Sequence, residues 1–150
     1  MYKTHKVNMQ GLGLIEVLIT LLVLSIGLLG LAGLQLNSLK NNQSAMQRSM
    51  AIMQTYTIIE AMQADTDIKD SAPRDYSSYN LTLEASDPTG SNYSNSVRRA
   101  WREEIRALLG TQATSSIDCT LGRCSITIQF DESQASQGAP EHQITTQVQL

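Results

Sequence analysis

No run of lysine or arginine in this chain is long enough to make a dedicated nucleic-acid surface. The densest basic stretch, Arg98 to Arg106, has Glu103 and Glu104 inside it, and the formal net charge is −3. We read that stretch as a mixed-charge helix face. Histidine is scarce, and His5 and His142 stand at opposite ends of the chain, away from Cys119 and Cys124, so no zinc site of familiar spacing can be assembled from local sequence. A Gly-rich phosphate loop and a nucleophile motif are both missing, as is any local grouping of nucleophile, base and orienting residue. The two cysteines also lack the spacing of a redox pair. These absences favour a non-enzymatic protein with neither cofactor nor metal. With 150 residues, 41% of them hydrophobic, the chain has material for one globular core and no more.

Charge is absent altogether from Val17 to Leu39, and Val17 to Leu34 is a run of Leu, Ile, Val, Gly and Ala broken only by Thr20 and Ser25. About 20 such residues in a helix cross the hydrocarbon core of a bilayer. Before the run come Lys3 and Lys6, so the positive-inside tendency keeps the N-terminus cytoplasmic and sends the rest of the chain across, although Lys40 and Arg48 weaken the contrast. A secretory signal peptide also combines a basic start with an apolar core. Its core is shorter, about 7 to 15 residues, and ends at a small-residue cleavage site rather than flowing into further helix. Roughly 110 residues remain to fold in water.

Neither a plain anchor nor a signal peptide accounts for Glu16, which lies between Leu14-Ile15 and Val17-Leu18-Ile19. Two readings are open: a carboxylate that stays hydrated at the cytoplasmic edge, or one that finds a cationic partner, since a charge near the centre of a membrane helix costs about 2.5 to 3.5 kcal/mol. Gly27, Gly30 and Gly33 likewise read either as glycine tolerated in a membrane helix or as small residues permitting close helix packing.

The stretch GLGLIEVLITLLVLSIGLLGLAGLQL, Gly11 to Leu36, closely resembles the N-terminus of type IV pilins and pseudopilins, and its wording is most similar to minor pilins of the type IV pilus modification protein PilV type. The resemblance covers about 26 residues, with weaker similarity beyond. It implies a leader, residues 1–11, removed by prepilin peptidase between Gly11 and Leu12, and N-methylation of the new terminus at Leu12, where the family usually has Phe. It places Glu16 as the assembly glutamate, pairing with the terminal amine of a neighbouring subunit. It implies residence in the inner membrane as a single-pass protein in contact with lipid, then incorporation into a pilus at the cell surface. The partners it implies are major and minor pilins, prepilin peptidase and the inner-membrane assembly platform. A pseudopilin of a type II secretion system shares the same leader and glutamate. From another class, a permanently anchored periplasmic binding domain would keep its N-terminus uncut.

Beyond the span, residues 12–36, the expected organisation is an amphipathic continuation of the helix over 37–64 and a small α+β head over 65–150. Leu39, Met46, Met50, Met53, Tyr56, Ile59 and Met62 recur at helical spacing, a stripe that reads as packing for the head or as a partner groove. Asp65, Asp67, Asp70 and Pro73 break the pattern. A short strand is expected at Leu81 to Ala85, and a helix from Val97 to Leu109, with Trp101 as core anchor or partner contact and Gly110 as its stop. Arg99 and Glu103, one turn apart on that helix, are expected to pair. Alternating residues at Ile126 to Phe130 and Ile144 to Leu150 read as an antiparallel pair. Cys119 and Cys124, five residues apart around Gly122, can close a disulfide in an oxidising compartment or stay as buried thiols.

Overall fold

The computed structural model describes residues 13–65, 74–84 and 86–150. The fold is α+β: helix α1 (Leu14–Ala64), a one-turn 3-10 helix (Ser77–Tyr79), helix α2 (Tyr93–Leu109), and strands β1 (Thr114–Thr120), β2 (Arg123–Phe130) and β3 (His142–Gln149). The chain divides into two units between Ser38 and Leu39, and α1 contributes residues to each.

In the first unit every described residue is exposed, including Leu18, Leu22, Ile26 and Leu29 at 57% or more of their surface. The helix is nonetheless favoured locally, because the segment has no proline and is dominated by leucine. Its hydroxyls bond within the helix, Thr20 donating to the Val17 carbonyl at 2.8 Å and Ser25 to the Leu21 carbonyl at 2.7 Å.

The second unit is built on a three-stranded antiparallel sheet in the order β1-β2-β3. The expected pairing of the last two strands forms, with Ile126 facing Thr146 and Ile128 facing Ile144. One sheet face carries Ile117, Cys119, Cys124, Ile126, Ile128 and Phe130, all buried in one core with Ala51, Ile58, Ile59 and Met62 of α1 and Trp101, Ile105 and Leu109 of α2. Trp101 is a core anchor, 3% exposed, and its indole N–H donates to the Gln54 carbonyl at 2.9 Å. α2 starts earlier than its apolar stripe, because the Asn92 side chain caps it by accepting from the Asn95 N–H; Gly110, with φ 107°, ends it.

Three expectations are corrected, and one element is added. The face of α1 that enters the core is Ser44, Ala51, Gln54, Thr55, Ile58, Ile59 and Met62, not the methionine stripe, of which only Ile59 and Met62 are buried and Met50 partly so; Met46, Met53 and Tyr56 are 59% exposed or more. Small and polar residues win this face because Ala51 and Thr55 leave room for the core side chains and Ser44 has a bonding partner there. Leu81 makes a single bridge to Ile117 rather than opening a strand. An additional strand, β1, covers Thr114–Thr120. Arg99 does not pair with Glu103 but donates to the Pro88 carbonyl at 3.3 Å.

Candidate functional site

Glu16 stands in the first turn of α1, where a carboxylate faces the positive end of the helix dipole, and its N–H donates to the Gly13 carbonyl at 2.8 Å. Its side chain is solvent-exposed. Gly11 and Leu12, the expected cleavage and methylation positions, lie outside the described residues, as do Lys3 and Lys6. The helix is long and apolar enough to cross a membrane, and among the described residues none in its apolar window is buried. Beyond its first turn the main-chain groups of the apolar run, and the Thr20 and Ser25 hydroxyls, bond within the helix, which suits that run to hydrocarbon. A Cβ added at Gly27, Gly30 or Gly33 would meet nothing within 4 Å, so these positions leave the helix surface bare of side chains within the chain itself.

The head is locked by three sets of contacts. The first is the disulfide between Cys119 and Cys124, which face each other across β1 and β2 with Cα atoms 4.1 Å apart. The two-residue turn beyond it, Leu121-Gly122, has positive φ at both positions, as a tight hairpin following the strand twist requires. The side chain of Leu121 is 96% exposed at its tip.

The second is the Glu132 clamp. Arg48 on α1 grips this buried carboxylate at two points, Nε to Oε1 at 2.6 Å and Nη2 to Oε2 at 2.7 Å. The Ser44 hydroxyl donates to Oε1, and His142 Nδ1 lies 3.3 Å from Oε2. The Arg48 hydrogen bonds, helped by Ser44 and by the charges of His142 and Arg48, outweigh burial and hold the Glu132 carboxyl at about 2. Gly138 sits against the Glu132 backbone so closely that a Cβ would fall 1.7 Å from its carbonyl oxygen. The clamp thus fastens the loop between β2 and β3 to α1.

The third is a row of arginines along α2. Arg98 donates to the Asn80 carbonyl at 2.6 Å and Arg102, 2% exposed, to the Thr82 and Ser115 carbonyls at 2.6 and 2.7 Å. Arg106 pairs with Asp87 and holds that carboxyl below its ordinary value. The mixed-charge face expected of Arg98 to Arg106 is therefore in large part a set of moorings for Asn80, Thr82, Asp87 and Pro88. Burial lowers Arg102 from its ordinary value, with the charge of Asp87 working against that shift.

An open groove on the head is lined by residues 80–84 and 116–118, among them Thr82, Glu84, Ser116 and Asp118. Among the described residues, no three His, Cys, Asp or Glu side chains lie close enough together to hold a metal ion. The described residues comprise one helix apolar enough to cross a membrane and a small domain cross-linked by a disulfide. Sequence reasoning reached both cysteines of the disulfide; it missed Arg48, Arg102 and Glu132, whose partners are distant in the chain. No protein-family model matches the chain, and no curated protein or solved structure matches it either.

Proposed function

We propose that this chain is the precursor of a minor pilin, a non-enzymatic structural subunit of a type IV pilus, which waits in the inner membrane and joins a small complex that primes filament assembly. The observation that carries this reading is Glu16, an acidic residue in the first turn of a helix otherwise apolar and uncovered through Leu36. A passive anchor has no use for a carboxylate there, whereas a subunit that leaves lipid to join the helices of other pilins needs a buried charge to fix its axial register. Opposite charges attract far more strongly in low dielectric than in water, and either one left alone is penalised.

The partner charge is the amine created when the leader is cut after Gly11, presented at Leu12 of the adjacent subunit. The Cys119–Cys124 disulfide fits a head exported to an oxidising compartment.

Mass spectrometry of the membrane-extracted protein, from cells with and without prepilin peptidase, tests the reading. A mature chain beginning at methylated Leu12 only when the peptidase is present is the expected result. A chain that keeps residues 1–11 in both strains removes the filament reading and leaves an anchored periplasmic domain. Once cleavage is established, loss of Glu16→Ala from sheared filaments, with normal amounts in the membrane, is the second expectation.

A further inference from the structure

The two edges of the head's sheet are finished differently. Along β1 the outer main-chain groups are occupied: Ile117 exchanges both hydrogen bonds with Leu81 at 2.8 Å, the Asn80 side chain accepts from the Cys119 N–H at 2.7 Å and donates to its carbonyl, and Arg102 takes the Ser115 carbonyl. Along β3 no strand pairs with the outer edge among the described residues. The Leu150 N–H donates to the Gly122 carbonyl at 2.8 Å, continuing the register that sets Arg123 opposite Gln149. Strand alternation then turns the main-chain groups of Ile144, Thr146 and Val148 toward β2 and those of Gln143, Thr145, Gln147 and Gln149 outward.

This edge has none of the devices that keep strands apart. β3 is eight residues long and contains no proline, no glycine, no lysine and no acidic residue. Its inward side chains, Ile144, Thr146 and Val148, remain half-buried, while Gln143, Thr145, Gln147 and Gln149 are exposed on the other face.

We propose that the free edge of β3 pairs antiparallel with β3 of a second copy of this chain, with Thr146 opposite Thr146 on the two-fold axis. The register is chosen by the sequence. On the inner face Ile144 meets Val148 of the other copy, completing the burial each lacks alone. On the outer face Gln143 meets Gln149 and Thr145 meets Gln147, so amides and hydroxyls face one another and no like charges do. In this register the outward-facing residues pair among themselves, closing about eight main-chain hydrogen bonds, and Thr146 forms a non-hydrogen-bonded pair. A strand edge alone buries less than about 1,200 Å², which makes the contact a weak and reversible one, favoured when copies are concentrated in a membrane. The pairing is independent of the pilin reading, since it uses only the head.

Cysteine cross-linking in membranes of cells expressing the full chain tests it, because Cys119 and Cys124 are bonded to each other and leave no native thiol free. A non-hydrogen-bonded antiparallel pair has Cα atoms about 4.5 Å apart, within disulfide range, so Thr146→Cys is expected to give a reducible homodimer under mild oxidation. Gln143→Cys, on the same strand but more exposed, sits opposite Gln149, so its own copies lie about 20 Å apart; it is expected to link only when mixed with Gln149→Cys. Gln147→Pro removes an outward N–H without touching the ladder to β2 and is expected to lower the Thr146→Cys dimer about ten-fold while Trp101 fluorescence stays native. Should that variant not fold, Gln147→Lys places like charges at the edge and carries the same expectation. Absence of a Thr146→Cys homodimer in folded protein overturns the proposal, as does equal linking by Gln143→Cys alone or linking only to a different chain.

Discussion

Glu132 and Arg48, 84 residues apart in sequence, meet in a two-point ion pair whose carboxylate is 1% exposed and whose guanidinium is half in solvent. The pair makes the head sensitive to acid. The Glu132 carboxyl sits at about 2 against an ordinary value of 4.5, so its contribution to stability is complete above pH 4.5 and is lost as pH falls toward 2. Thermal unfolding measured from pH 7 down to pH 2.5 is expected to show a falling midpoint across that window. Glu132→Gln, less stable at neutral pH, is expected to show a shallower fall; an equal slope would mean that other carboxyls govern acid unfolding.

Truncating Trp101 removes both a large core side chain and the hydrogen bond to the Gln54 carbonyl. Trp101→Ala is expected to destabilise by about 3 to 5 kcal/mol, whereas Trp101→Phe keeps most of the burial and costs less. Urea denaturation followed by far-UV circular dichroism compares the two.

Removing the disulfide by replacing Cys119 and Cys124 together with serine reopens a short loop. The chain-entropy model assigns such a loop about 2 kcal/mol, and burying two hydroxyls adds to the cost because both positions lie in the core. The urea midpoint of the double variant should fall by more than reduction of the native bond produces.

The membrane reading makes its own demand on the first unit. Leu24→Asp places a carboxylate near the middle of the apolar run, at a cost of about 2.5 to 3.5 kcal/mol for insertion. Alkaline carbonate extraction is expected to release more of this variant than of the parent chain, while Ser25→Ala stays with the membrane fraction.

Sequence periodicity reached the elements whose pattern is local. The run from Val17 to Leu34, the stripe Val97, Trp101, Ile105, and the alternation at Ile126 and Ile128 each announce a period, and each forms the element expected. β1 escaped because TSSIDCT offers few apolar side chains; its buried Ser115 lies beneath Arg102, a contact between residues that no periodicity links. The docked face of α1 was misread for a related reason: in water the methionines look like the apolar face, yet the head has room there for Ala51 and Thr55 and a buried carboxylate waiting for Ser44 and Arg48. Of the positions expected to act in processing and assembly, only Glu16 falls among the described residues, and its expected role rests on resemblance and on the apolar company it keeps, not on a contact within the chain.

Among the described residues, the arginines of α2 hold Asn80, Thr82 and Pro88 by their main-chain oxygens and Asp87 by its side chain. A guanidinium reading a carbonyl is indifferent to which amino acid supplies it. The head therefore holds Asn80, Thr82, Asp87 and Pro88 in place while the exposed side chains of Thr82, Glu84 and Ser86 are free to be rewritten, so that new surface chemistry can be displayed there without altering the frame beneath it.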